Sequence, residues 1–231
     1  MPSPSLSLDL ASKIASELFE IQGNAISLGS CQDANFKIKS KDGDFVLKVS
    51  DCDTTREELI FQNNVIIHLN NSKCTDHLNM PRLLYIGKHA NRSVNIKEST
   101  EHIGVYNIDG TDHYIRMLTY VKGNIFSDYS YLSCESLNNF GEFVAITHNS
   151  LSSYSSPIME RHGEWDMRYC HENIVSRIYS VADLELRNKL LTTATAMQNR
   201  IDSFKSEIRK QVIHGDLAYY NGKINKYNFQ I

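Results

Sequence analysis

The hydrophobic period changes once along this chain, and that change sets the architecture. Phe36 and Ile38, then Phe45, Leu47 and Val49, alternate with other residues, the period of a strand with one buried face. Asp42-Gly43 stands between the two runs. Asp-Gly favours a tight hairpin turn because both positions accept positive φ. From about residue 132 the period becomes helical. Leu137, Phe140, Val144, Ala145 and His148 share a face, and Leu186, Leu190, Ala194, Met197, Ile201, Phe204 and Ile208 keep step across 183–210. Strands followed by helices define an α+β chain with two lobes. The division falls near 119–124, giving a strand-rich lobe of residues 1–119 and a helical lobe of residues 120–231.

Finer signals fill in the frame. Leu10, Ile14 and Leu18 mark a short amphipathic helix over 8–19. Thr54 and Thr55 precede Glu57 and Glu58 by three residues each, a capping-box pattern that starts a helix running to Leu69. Pro81 leads into a strand, RLLYIG. Residues 88–112 are polar and read as a hairpin tip, and 113–123 as a strand ending at Gly123. Ser150–Gly163 is Ser-rich and irregular, and a helical period returns at 167–180.

Composition narrows the function classes. With 41% hydrophobic residues and a net charge of -3, the 231-residue chain buries a core rather than staying disordered. Its 24 basic and 27 acidic residues leave no basic footprint for nucleic acid. No 18-residue apolar run provides a membrane span. The first 20 residues lack the basic and apolar segments of a secretory signal. Five scattered cysteines without a CxxC pair read as reduced thiols in a cytoplasmic protein.

The sharpest motif is Val212-Ile213-His214-Gly215-Asp216-Leu217, with Asn221 five residues after Asp216. Phosphoryl transfer needs a carboxylate that orients the attacking hydroxyl and takes its proton, and an oxygen ligand for the metal on the phosphates. An Asp followed by Asn at that spacing supplies both. A turn whose polar residues satisfy its own backbone would look the same. Lys48, in Phe45-Val46-Leu47-Lys48-Val49, sits where a strand lysine neutralises nucleotide phosphates, or equally where an edge lysine faces water. Glu58 either pairs with Lys48 or caps its own helix, and Glu57 competes for the pairing. Gly29 and Ser30, in the loop before Phe36, give the small residues that a loop over phosphates needs, without a GxGxxG pattern. The four elements follow one another in kinase order.

Other constellations are weaker. His68, Cys74 and His77 match no zinc spacing and read as polar helix-end residues. His148 reads as a satisfied core histidine. Trp165-Asp166 is either a packing anchor or part of a pocket wall.

The HGDLAYYN segment resembles the catalytic loop of the aminoglycoside phosphotransferase and choline kinase-like superfamily. LGSCQDANFKI, FVLKVSD, IRMLTYVKG, FGEFVAITH and VIHGDL together resemble hydroxylysine kinase, over about residues 8–221. The resemblance implies a protein kinase-like fold and a phosphoryl transfer from GTP, or ATP, to 5-hydroxy-L-lysine or a similar amino alcohol, with Mg2+, in the cytoplasm. It makes Ser30 and Lys48 phosphate contacts, with Glu58 as the partner of Lys48. It makes Met117–Val121, and within it Thr119, Tyr120 and Val121, the hinge that holds the purine. Asp216 becomes the catalytic base and Asn221 a metal ligand. The family continues after this Asn with a strand and a second metal-binding Asp. Here GKINKYNFQI follows, without Asp or Glu. The expectation is therefore a lobe that is truncated and a chain of little activity. A non-enzymatic binding protein, or a kinase for choline or an aminoglycoside-like amine, is the alternative.

Overall fold

A computed structural model describes residues 4–30, 32–76, 78–87, 99–160, 166–217, 222–225 and 228–230. They form two compact units, residues 1–156 with 212–231, and residues 157–211. The point at 119–120 falls inside the first unit.

The first unit is built on a five-stranded antiparallel sheet of β1 (Gly23–Ser27), β2 (Ala34–Ser40), β3 (Gly43–Val49), β4 (Gly104–Ile108) and β5 (Thr111–Thr119). The spatial order is β1-β2-β3-β5-β4. The alternation read from sequence is the buried face: Phe36, Ile38, Leu47, Val49, Ile115 and Met117 are all within 4% of full burial. Helix α1 (Leu8–Phe19) covers that face with Ala11, Ile14, Ala15 and Phe19. Each such Ile, Leu or Phe contributes roughly 1.5–3 kcal/mol by leaving water. Ser7 caps α1 by accepting the Leu10 N–H at 3.1 Å.

The β2–β3 turn is displaced by one residue from the sequence reading. Ser40 pairs with Gly43, so Lys41 and Asp42 form the turn and Gly43 opens β3. Only Gly43 takes positive φ, at 132°, and the Ser40 hydroxyl holds the turn by accepting the Asp42 N–H at 3.1 Å.

Two segments of the sheet differ from expectation. Part of the polar stretch 88–112 is β4, which pairs with Thr111–Ile115 of β5 across an Asp109-Gly110 turn. The apolar RLLYIG run makes only one bridge, Leu83 with Leu118. β4 pairs with β5 only as far as Ile115, and β3 pairs along its other edge from Ile115 to Thr119. Residues 82–84 take the edge that β4 leaves free, through Leu84 N–H to Met117 O and Thr119 N–H to Arg82 O.

Helix α2 (Arg56–Asn70) covers the other face. Its Ile67 packs with Leu83 and Leu118. Helix α3 (Cys134–Leu151) is tied to α2 by His68 Nε2, 2.9 Å from the Ser150 carbonyl. Its buried residues are Phe143, Thr147, Ser150 and Leu151, while Leu137 and Ala145 are exposed. The inward face is thus turned from the one the period suggested. A small second sheet pairs β6 (Asn124–Ile125) with β7 (Lys223–Asn225), and β7 with β8 (Asn228–Gln230).

The second unit holds α4 (Cys170–Arg177) and α5 (Leu184–Phe204), which pack on each other. Asp183 caps α5 by accepting the Glu185 and Leu186 N–H groups. The helix stops at Phe204, short of residue 210.

Candidate active site

Lys48 lies at the middle of a polar row that crosses three strands. Register places Asn35 of β2 beside it on one side and Arg116 of β5 on the other. All three face away from the α1 core, toward α2. The Lys48 ammonium lies 3.5 Å from an Asp33 carboxylate oxygen. Burial pushes the ammonium below its ordinary pKa, attraction to Asp33 opposes that, and repulsion from Arg116 adds to it.

Arg116 is 2% exposed. Neutral amides of α2 hold its guanidinium: Nη1 donates to Asn63 Oδ1 at 3.0 Å and Nη2 to Gln62 Oε1 at 2.7 Å. Burial pulls its pKa down to about 10, with Asp33 opposing. It stays cationic at neutral pH. Arg116 Nε and Asn35 Oδ1 are buried without hydrogen-bond partners.

Glu58 closes the capping box of α2. It accepts the Thr55 N–H at 3.2 Å, and its own N–H donates to Thr55 Oγ1 at 3.3 Å. The carboxylate that meets Lys48 is that of Asp33. Sequence reasoning passed over Asp33, and Arg116 with it. Arg116 could have been found as a cation at an inward position of a mostly apolar strand.

Ser30 lies exposed in the β1–β2 loop, beside Gly29. At the end of β5, Thr119 N–H donates to Arg82 O and Tyr120 N–H to Asp44 O. The Val121 carbonyl accepts from Lys223 Nζ at 3.0 Å. These bonds leave the Val121 N–H out. Tyr120 is clasped by two lysines, with Lys37 Nζ 3.8 Å and Lys223 Nζ 3.5 Å from its ring centroid.

Asp216 belongs to the same unit as Lys48. Val212 anchors its segment in the interior, and Asp216 itself is exposed. Gly215 takes φ 81°, a left-handed turn that a side chain would strain. The Asp216 N–H donates to His214 Nδ1 at 3.3 Å. β7 follows and pairs with β6, just past the β5 end, so this pairing ties the Asp216 segment to residues 124–125. Asn221, His77 and Trp165 lie outside the described residues.

Among the described residues no group of three or more His, Cys, Asp or Glu side chains is placed to hold a metal ion. His68 is engaged with Ser150 and, edge-on, with the Tyr154 ring. His148 is half-buried. In the second unit Asp166 pairs with Arg168 at 2.6 Å and borders an open, mostly apolar groove with Met167, Ile174, Ile178 and Leu190. No described helix is long and apolar enough to cross a membrane.

The profile of the phosphotransferase enzyme family matches residues 24–221, and the chain belongs to that family. No curated protein matches it. Among solved structures, it is similar to a microcompartment-associated aminopropanol kinase, with 14% identity and TM-score 0.65 over 97% of this chain and 68% of that one. It is similar to an amicoumacin kinase in complex with AMP-PNP and Ca2+, with 11% identity and TM-score 0.62 over 97% of this chain and 63% of that one. It is also similar to APH(2")-IIia in complex with GDP and kanamycin, with 18% identity and TM-score 0.56 over 95% of this chain and 68% of that one. At these identities the likeness establishes the fold, that of the kinase-like phosphotransferases. The chain spans less than two thirds of the length of the amicoumacin kinase.

Proposed function

We propose that this chain carries the nucleotide site of a small-molecule kinase that transfers the γ-phosphate of a nucleoside triphosphate to the hydroxyl of an amino alcohol. The observation that carries the reading is the half-buried Lys48 ammonium, set on the central strand behind the β1–β2 loop with a second cation, Arg116, beside it. Two cations against the one carboxylate of Asp33 leave a positive field where phosphates would lie. Residues 1–119 form the nucleotide-binding lobe and 120–231 contribute to the helical lobe in this reading. Ser30 and Lys48 contact the phosphates, and Thr119, Tyr120 and Val121 border the purine. The Val121 N–H is the hinge donor not used by the bonds above.

Asp216 holds the acceptor hydroxyl. As its oxygen attacks the γ-phosphorus, the bond to the β,γ-bridging oxygen breaks and the proton passes to the Asp216 carboxylate. Mg2+ bound with the nucleotide would neutralise charge on the phosphates, and Asn221 is the residue that would hold it. GTP as donor, 5-hydroxy-L-lysine as acceptor and the cytoplasm as location follow from the hydroxylysine kinase resemblance. Family membership and an aminopropanol kinase among similar folds support an amino-alcohol acceptor.

The test is a transfer assay with Mg·GTP and Mg·ATP against a panel of hydroxylated amines, hydroxylysine and choline included. Transfer to hydroxylysine that is lost in Lys48→Met supports the reading. Absence of both nucleotide binding and transfer, in a protein that unfolds cooperatively, rejects it.

A further inference from the structure

The partner of Lys48 comes from the loop, not from the helix. Helix α2 presents Gln62 and Asn63 at the level of the polar row, and both are spent on Arg116. Glu58 lies four residues before Gln62 and five before Asn63, about 6 and 7.5 Å along the helix axis. Its carboxylate accepts the Thr55 N–H of the capping box. A carboxylate beside a half-buried lysine holds its ammonium in one place through a charge-assisted contact. Asp33, in the loop that leads into β2, supplies it. A carboxylate so placed also cancels the charge that a phosphate requires. Arg116 has no carboxylate of its own among its hydrogen-bond partners, and it stands directly across the ladder from Lys48.

We propose that Asp33 is the positioning residue for Lys48, and that Arg116 restores the positive charge which Asp33 removes. The proposal rests on the kinase reading above. Arg116 acts through its field, because it is enclosed between the sheet and α2 and reaches no ligand. The division of labour is direct. The loop fixes the lysine, and α2 fixes the arginine through two neutral amides that leave its charge intact.

The experiment follows Lys48 itself. The protein is treated with an amine-selective acylating reagent across a pH series, and modification of Lys48 is read by peptide mass spectrometry. Asp33→Asn removes the attraction that raises the Lys48 pKa, so its labelling midpoint moves to lower pH. Asp33→Glu returns it toward wild type. Glu58→Gln leaves it in place, and because Gln also serves in a capping box, α2 is kept. Direction separates pairing from damage. A variant that merely loosens the structure exposes Lys48 to water and moves the midpoint up.

A second arm repeats the wild-type labelling with Mg·GTP or Mg·ATP present, where protection of Lys48 is expected. An unshifted midpoint in Asp33→Asn, or a downward shift in Glu58→Gln, overturns the proposal even when nucleotide protects Lys48, and then the kinase reading still stands. The Asp33→Asn shift without protection by either nucleotide makes the pair a structural one and overturns proposal and reading together.

Discussion

Lys223 and Tyr120 lock the segment after Asp216 to the end of β5. The Lys223 ammonium lies 3.5 Å from the Tyr120 ring centroid and donates to the neighbouring Val121 carbonyl at 3.0 Å. Burial would raise the Tyr120 phenol pKa, but Lys223, with Lys37, outweighs burial and holds it below the ordinary value. Lys223→Met should therefore move the phenol titration to higher pH, followed by ultraviolet difference absorbance. It should cost about 0.5–1 kcal/mol of stability for the cation–π contact. An unmoved Tyr120 titration would show that the two groups do not meet in solution.

Asp216→Asn separates binding from chemistry. The amide keeps the shape of the loop and the Gly215 turn but cannot take a proton. Nucleotide protection of Lys48 should persist, while transfer to the best acceptor falls on the order of 10²-fold or more. Equal fall in both, or in neither, would remove Asp216 from the role of base.

The capping box of α2 gives a stability test that is independent of function. Thr55→Ala removes the hydroxyl that accepts the Glu58 N–H. A loss of about 1 kcal/mol is expected. Glu58→Gln should stay within about 0.5 kcal/mol of wild type, because Gln can still accept the Thr55 N–H. Denaturant melts of the two variants decide between a capping Glu58 and one whose charge matters elsewhere.

Much of this fold was legible because local chemistry and tertiary packing agree. Phe36, Ile38, Leu47 and Val49 alternate in sequence and are buried together. Thr55 and Glu58 spell a capping box and form one. Legibility fails where position depends on distant partners. β4 leaves Val105 and Asn107 exposed on one side, and it is a strand because β5 offers an edge. RLLYIG is apolar enough for a long strand, yet only the free end of β5 remains for it. The partner of Lys48 was left open for the same reason. Asp33 and Glu58 are both acids near Lys48 in sequence, and only the β2–β3 register and the α2 cap decide which one meets the ammonium. In α5 the helical period is real, but Leu186, Met197 and Phe204 stay exposed. Periodicity marks a face without saying what covers it.

Acid should weaken the first unit through His102. This side chain is fully buried, with its ring 4.3 Å from the Tyr85 ring. Nδ1 lies 2.8 Å from the Leu84 carbonyl, so Nδ1 carries the proton and donates. Nε2 is buried without a hydrogen-bond partner. Burial pushes its pKa below the ordinary 6.5, while the Leu84 bond and Glu101 oppose. The folded state resists a proton that the unfolded chain accepts. The stability involved is therefore complete above 6.5 and drains away as pH falls toward the lower folded value. The slope from one such group approaches about 1.4 kcal/mol per pH unit. His102→Phe keeps the ring stack, gives up the Leu84 bond and has nothing to protonate. It should be less stable than wild type near neutral pH and lose less on acidification. Urea unfolding at about pH 7.5 and 5.5 measures both. A slope as steep in His102→Phe as in wild type would mean that other groups carry the acid sensitivity, and His102 would then be only a packed ring.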